Sequence, residues 1–127
     1  MVIIGCGSRD WANWHTLTTV MSDLHKEFHF TRVVQGGAQG ADTMIRRWAA
    51  ENNIPGETYK AKWNLHGRGA GPIRNKHMYE VEKPQMLIGF YAHGRENRGT
   101  KNMMSLGLLI NRIHIHEGIE IIREIQG

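Results

Sequence analysis

The chain has 127 residues, a formal net charge of +4 and one cysteine, Cys6. This length suits one domain, residues 1–127, around one hydrophobic core. A single cysteine excludes an intramolecular disulfide, and no apolar run approaches the ~20 residues of a membrane span. The first residues also lack the basic segment and long apolar stretch of a signal peptide, so we expect a cytoplasmic protein with no membrane partner.

The positive charge suits an anionic partner, but the basic residues are dispersed. Lysines and arginines alternate with acidic residues, and local pairs such as Arg46 and Arg47 do not extend into a basic block. Surfaces that bind duplex nucleic acid usually carry a continuous basic stripe. We therefore expect a small polyanion such as a nucleotide, and nucleic-acid processing is the weakest alternative because only the charge balance supports it.

The first elements alternate between strand and helix. The apolar run Val2–Ile4 predicts a buried strand, and residues 5–10 form a polar loop after it. Asp10 stands where the dinucleotide-binding fingerprint requires its third glycine, so that fingerprint fails. Apolar residues at helical spacing predict a helix over 13–28, and a second strand follows over 31–34.

The stretch from Gly36 to Asp42 joins this second strand to another amphipathic helix. Its glycines allow the backbone to approach a ligand closely, and the helix that begins at Ala41 presents free N–H groups. Such a loop favours an anion, most often a phosphate. The alternative is an ordinary strand-to-helix turn that needs glycine only for its φ angles.

The second half continues the alternation. We predict a short edge strand over 57–61, a glycine-rich loop over 62–71, a helix from Pro72 with Arg74 and Asn75 in its first turn, a central strand over 85–91, a helix over 101–111 and two strand segments around Gly118. This order predicts an α/β fold: a single Rossmann-like, doubly wound, mainly parallel sheet flanked by helices. The loops after its strands then meet at one edge.

Four motifs in order resemble the SLOG superfamily. They are the segments Gly7–Asp10, Gly36–Asp42, His66–Asn75 and Arg98–Met103. This Rossmann-like group contains the Lonely Guy phosphoribohydrolases, proteins like DNA-processing protein A, and nucleotide-sensing modules of bacterial conflict systems. The chain is most similar to the small stand-alone bacterial and phage branch, and the resemblance implies one SLOG-like nucleotide-binding domain.

The resemblance implies a nucleotide or nucleotide-derived ligand, such as an NAD-derived or cyclic adenosine signal, and no cofactor. It places ligand contacts in all four motifs, at Ser8, Arg9, Gly36, Gly37, Asp42, Arg74, Asn75, Gly99 and Thr100. Ala38 and Arg98 belong to the same loops and complete them. Trp63, in the glycine-rich loop, can stack on a base.

Several of these residues have two interpretations. Arg9 and Arg74 are the best candidates for phosphate contacts, because a guanidinium binds phosphate through two hydrogen bonds. Asp42 can accept hydrogen bonds from ribose hydroxyls or merely cap its helix. Trp63 and Trp11 either stack on a base or pack their loops onto the domain.

The eight histidines do not predict a metal site. His25 and His29 are spaced by one helical turn, and His114 and His116 share one strand face, but no carboxylate stands at the spacing of a zinc-protease motif. We expect no metal, and we expect His25 and His29 to lie on the solvated side of the first helix.

The segment before and after Gly99 bears on catalysis. Lonely Guy enzymes carry an acidic residue three positions after their Gly-Thr pair, and here Met103 occupies that position. Methionine neither transfers a proton nor carries charge. We therefore predict binding without turnover, as a sensor or a sequestering sponge, with no catalytic residues. The alternative is an N-glycosidase or phosphoribohydrolase that acts on a nucleotide.

The predicted helix after Gly99 also suggests self-association. Met103, Leu106, Gly107 and Ile110 form one face, while Met104 and Leu108 lie off it. This is more apolar surface than packing on one side of a sheet requires. We predict a homodimer or a higher homo-oligomer.

Overall fold

The computed structural model describes residues 1–127 and confirms the predicted α/β class. Its strands are β1 (Val2–Gly7), β2 (Arg32–Gln35), β3 (Gly56–Thr58), β4 (Met86–Tyr91), β5 (Asn111–His116) and β6 (Glu120–Glu124). Its helices are α1 (Trp14–Phe28), α2 (Ala41–Glu51), α3 (Trp63–His66), α4 (Ala70–Glu82) and α5 (Arg98–Ser105). None of these helices is long and apolar enough to cross a bilayer.

The six strands form one sheet in the order β3-β2-β1-β4-β5-β6. The first five are parallel, and β6 pairs with β5 in the antiparallel direction. The chain winds outward from β1 to β3 and then crosses back to place β4 on the other side of β1. The carboxyl ends of β1 and β4 therefore border a topological switch point, where open α/β sheets bind their ligands.

Alternation along each strand divides the core between the two faces of the sheet. Ile3 packs into a cluster of 17 buried residues with α1 and α2, whereas its neighbour Ile4 packs into a cluster of 8 with α4 and α5. Trp48 fills the first cluster and Met78 the second. Helices thus cover both faces, which explains why the central strands are continuous apolar runs.

Three segments differ from the sequence prediction. The edge strand β3 covers Gly56–Thr58 instead of 57–61. The predicted loop over 62–71 contains α3, a 3₁₀ turn at Gly67–Gly69 and the start of α4 at Ala70. Pro72 is the third residue of α4, where its missing N–H costs no helical bond. Arg74 and Asn75 therefore lie in the second turn of α4, and the prediction of a first-turn position is wrong.

The last helix is also shifted. It covers residues 98–105 instead of 101–111. Beyond its end the chain turns so that Gly107 packs on Leu87, where an added Cβ would lie 2.5 Å from Leu87 Cδ1. Because the helix ends early, Leu108 lies in a turn and is exposed.

The first helix also corrects one expectation about histidine. His25 is half-buried, its Nδ1 accepts from the Phe30 N–H at 3.0 Å, and its ring meets that of Trp48 edge-on at 5.8 Å between centroids. It therefore fastens the turn between α1 and β2, and only His29 lies on the solvated side. No group of three or more histidine, cysteine or acidic side chains is arranged to hold a metal ion.

Gly40 provides a test of how tightly the strand-end loops are packed. A Cβ at this position would lie 2.5 Å from the carbonyl oxygens of both Ser8 and Arg9. We expect Gly40→Ala to lower the free energy of unfolding by roughly 1–3 kcal/mol more than Gly94→Ala, measured by denaturant titration. Gly94 is the matched control because its φ is also positive but nothing lies within 4 Å of its added Cβ. Equal losses in the two variants would contradict this packing.

Candidate functional site

A cleft of about 900 Å³ opens at the carboxyl ends of the parallel strands. Its walls are the segments that follow β1, β2, β3 and β4, together with α3, the N-terminal half of α4 and the start of α5. All twelve residues predicted to contact a ligand line this cleft. The fold therefore brings together residues of four motifs, although Ser8 and Thr100 are 92 positions apart in the sequence. The volume of the site suits a nucleotide-sized molecule.

The glycine loop after β2 is held in place by its own strand. Gln35, at the end of β2, accepts from the Gly37 N–H at 2.6 Å and donates from Nε2 to Thr58 Oγ1 at 2.6 Å. Gly37 has a φ of +73°, which favours glycine. The loop is thus fixed by hydrogen bonds within the chain, and Ala38 continues it along the cleft wall.

Arg74 holds the glycine loop from the opposite side. Its Nη1 donates to the carbonyl oxygens of Gly36 at 2.6 Å and Tyr59 at 3.0 Å. The guanidinium lies so close to Gly36 that an added Cβ would be 2.3 Å from Nη1. Gly36 is therefore required by this contact, and the Nη1 of Arg74 is already committed to the protein.

Asn75 completes this connection. Its Oδ1 accepts from Arg74 Nε at 2.8 Å, and its Nδ2 donates to Asn102 Oδ1 at 2.9 Å. Asn75 is buried, so these hydrogen bonds are shielded from water. The predicted contact residues Arg74 and Asn75 thus join α4 to the ends of β2 and β3 and to α5, a structural role that the sequence analysis did not anticipate.

Asp42 is the buried acid of the cleft. Its side chain is not a cap for its own helix, because Oδ2 accepts from the Ala38 N–H at 3.2 Å and thereby closes the glycine loop. Oδ1 is buried and has no hydrogen-bond partner. Burial raises the pKa of Asp42 to about 6, although the Ala38 N–H, the nearby Gly36 N–H and the positive charges of Arg74 and Arg9 oppose the shift. Burial also lowers the pKa of Arg74.

Two helices begin at the cleft without a side-chain cap. α2 starts after Gly40 and α5 after Asn97, and neither preceding residue bonds the helix with its side chain. Gly99 and Thr100, in the first turn of α5, line the cleft. Ser8 is buried, and its carbonyl accepts from the Ala41 N–H at 3.1 Å. The positive ends of both helix dipoles therefore border the same space.

Positive charge predominates in the cleft. Six basic side chains line it against three acidic ones, which are Asp10, Asp42 and Glu96. Two basic side chains are neutralised, since Arg95 pairs with Asp10 at 3.4 Å and Arg98 pairs with Glu96 at 2.5 Å. The basic side chains without an ion pair are Arg9, Lys60, Arg68 and Arg74.

Lys60 and Arg68 are cleft residues that the sequence analysis missed. Lys60 follows β3 by two positions, and Arg68 lies in the 3₁₀ turn beyond α3. The sequence analysis missed Lys60 because it placed this residue inside a predicted strand over 57–61, whereas β3 ends at Thr58. Arg68 belongs to the His66–Asn75 motif itself, but the resemblance implied ligand contacts only for the last two residues of that motif, Arg74 and Asn75.

The two tryptophans have different roles. Trp11 is 1% exposed and packs edge-on against Phe90, with ring centroids 5.2 Å apart, so it packs its loop onto the domain. Trp63 is 49% exposed on α3 and lines the cleft. Of the two, only Trp63 has an indole face that a planar ligand can reach.

Met103 lies away from the cleft. Its side chain is buried in the cluster of α4 and α5 with Met78 and Leu87. A group at this position on α5 faces the core and not the ligand space, whereas Asn102, one residue earlier, lines the cleft. Packing in this apolar cluster therefore also explains why position 103 carries methionine and not an acidic residue.

Comparisons with known proteins found a family model and a phage protein that are similar to this chain. A sequence model of the family YAcAr, described as the YspA, cpYpsA-related SLOG family, matches residues 1–66. The chain is 38% identical over 78 residues to the Gene 61 protein of Mycobacterium phage D29. That alignment includes 57% of this chain and 62% of the phage protein, so the chain spans less than two thirds of that relative. No solved structure matches.

The raised pKa of Asp42 predicts a specific pH dependence of stability. Asp42 has an ordinary pKa of 3.8 that folding raises to about 6, so the folded state holds its proton more tightly than the unfolded state. This contribution to stability is complete below about pH 4 and is lost as the pH rises through 6. Relative to Asp42→Asn, the wild-type free energy of unfolding should fall between pH 4 and pH 6, by on the order of 2–3 kcal/mol.

Denaturant titrations at half-unit pH steps measure this difference. Asp23→Asn is the matched control, because Asp23 is an exposed acid on α1 and outside the cleft. Its difference from the wild type should stay nearly constant over the same range. A constant difference for Asp42→Asn as well would show that folding does not raise the pKa of Asp42.

Proposed function

We propose, from the premise that this chain belongs to the YspA, cpYpsA-related SLOG family, that its cleft binds a nucleotide-derived small molecule in the cytoplasm. Membership of this family indicates the binding or processing of a nucleotide-related ligand. The finer proposal is an NAD-derived or cyclic adenosine-type signal that is bound and not turned over, so that the protein acts as a sensor or a sequestering sponge.

One observation carries this proposal: cations without an ion pair and the starts of two helices that lack a side-chain cap border the same cleft. A phosphate gains hydrogen bonds from free backbone N–H groups and favourable energy from the helix dipoles. Arg9 and Arg68 make no ion pair within the chain and can bind its oxygens without first losing a partner. An uncharged ligand would leave this positive charge uncompensated.

The other walls of the cleft suit the remaining parts of a nucleotide. The exposed indole of Trp63 offers a surface on which a base can stack. Arg74 has one nitrogen, Nη2, that makes no hydrogen bond within the chain. The committed bonds of Arg74 mean that it serves the ligand mainly by fixing the glycine loop, with Arg9 as the principal arginine for phosphate.

Binding without turnover is supported by the state of the acidic side chains. Asp10 and Glu96 are more than half exposed and are paired with arginines, and position 103 is buried methionine. One observation favours hydrolysis of a nucleotide N-glycosidic bond as the second candidate. Asp42 is a buried cleft carboxyl whose pKa is raised to about 6, a value that suits a general acid or base.

Isothermal calorimetry with a panel of nucleotides tests the binding proposal. The panel contains nucleoside monophosphates and triphosphates, cyclic nucleotides, NAD and ADP-ribose. We expect at least one member to bind, and Arg9→Ala to weaken it by ~1.5–3 kcal/mol, the typical contribution of a hydrogen bond to a charged group. Arg46→Ala, which removes an exposed arginine of α2 outside the cleft, should bind as the wild type does.

The same mixtures, analysed by chromatography after incubation, separate the two candidates. Intact nucleotide supports a sensor or sponge. Free base in stoichiometric excess over protein, lost in Asp42→Ala or Glu96→Ala, would establish the hydrolase instead. If no member of the panel binds to the wild-type protein, the proposed function is wrong.

Self-association remains a prediction, but the structure leaves less exposed apolar surface to support it than the sequence indicates. Met103 and Met104 are buried within the chain, and Leu106 and Ile110 pack against the same cluster. In the turn between α5 and β5, the exposed apolar side chains are Leu108 and Leu109, which are 64% and 88% exposed. We expect light scattering at micromolar concentration to show a homodimer, and Leu109→Ser to shift it toward the 14.5 kDa monomer. A wild-type protein that is entirely monomeric would contradict this.

A further inference from the structure

Asp42 differs from the other carboxylates of the cleft. It is 5% exposed, and its Oδ1 has no hydrogen-bond partner although Oδ2 accepts from the Ala38 N–H. The side chains of Asp10 and Glu96 are 54% and 72% exposed and are paired with arginines. A buried carboxylate oxygen without a donor is costly in the free protein, so its presence at a cleft wall needs an explanation.

The chemistry of that oxygen restricts what it can meet. An ionised carboxylate only accepts hydrogen bonds, and it repels a phosphate. The ligand group beside Asp42 must therefore be a hydrogen-bond donor. Asp42 is also the second residue of α2, whose start has no side-chain cap, and the positive charges of Arg74 and Arg9 act on it directly. Donor and anion must accordingly be close together in the same ligand.

A ribonucleotide has this combination, because its sugar carries hydroxyl donors a few bonds from its phosphate. We propose that Asp42 accepts a hydrogen bond from a ribose hydroxyl of the bound nucleotide, and that the cleft thereby selects ribonucleotides over deoxyribonucleotides. This inference rests on the proposed function, which it makes more specific. Asp42 is thus a specificity-determining residue of the cleft.

The experiment compares matched ribonucleotides, deoxyribonucleotides and dideoxyribonucleotides of all four bases, as monophosphates and triphosphates, by calorimetry at pH 7.5. The wild-type protein should bind the ribo form at least about tenfold more tightly than the form that lacks the recognised hydroxyl. In Asp42→Asn this ratio should fall below about threefold, because a neutral amide is a weaker acceptor. The control variant Asp23→Asn should keep the wild-type ratio.

A second series makes the result independent of how Asp42→Asn folds. Nucleotides with fluorine in place of a sugar hydroxyl keep nearly the same size but donate no hydrogen bond. The wild-type protein should bind them as weakly as the deoxy forms. Circular dichroism and thermal melting show whether each variant is folded, which the comparison of their affinities requires.

Five outcomes would overturn the inference. Equal affinity of the wild-type protein for ribo and deoxy forms would do so while leaving the proposed function intact, and so would wild-type affinity for the fluorinated forms. A sugar preference that survives in folded Asp42→Asn would assign the selection to another residue. If Asp42→Asn instead abolishes a preference among bases, Asp42 recognises a base donor. If nothing binds to the wild-type protein, the proposed function falls as well.

Discussion

The guanidinium of Arg74 is the contact on which the geometry of the cleft depends. It donates to the backbone carbonyls of Gly36 and Tyr59, which follow β2 and β3, and through Asn75 it is connected to α5. Backbone acceptors in two separate loops therefore share a single rigid donor. A planar guanidinium suits this arrangement, because its N–H groups point in fixed directions. The loops are set before any ligand arrives, which lowers the entropy cost of binding.

This arrangement has a cost in stability. Burial disfavours the charged forms of both Arg74 and Asp42, as the lowered and raised pKa values show. Asp42 Oδ1 is moreover left without a hydrogen-bond partner. Among the buried side-chain nitrogen and oxygen atoms, only Arg112 Nε shares this condition. Perturbed ionisable groups in a cleft are typical of functional sites, where structure is arranged for a ligand instead of for maximal stability.

The cleft is built from both the segment that matches the family model and the segment that follows it. Residues 1–66, which match the family, contain the loops after β1 and β2 and so the positions of Ser8, Arg9 and Asp42. Arg74, Asn75 and Gly99 lie beyond this segment but complete the same cleft. The part of the cleft outside the matched segment fixes the loops through Arg74 and supplies the uncapped start of α5.

The sequence by itself determined the α/β fold and the location of the cleft. The central strands could be predicted because burial on both faces makes them continuous apolar runs, and their loops had to meet because parallel strands end at one edge of the sheet. Only the tertiary structure decided what individual side chains do there. Arg74 is a fastening group, Met103 is a core residue and Asp42 is a buried acid with one free oxygen. These roles arise from neighbours distant in sequence, whose positions no local pattern encodes.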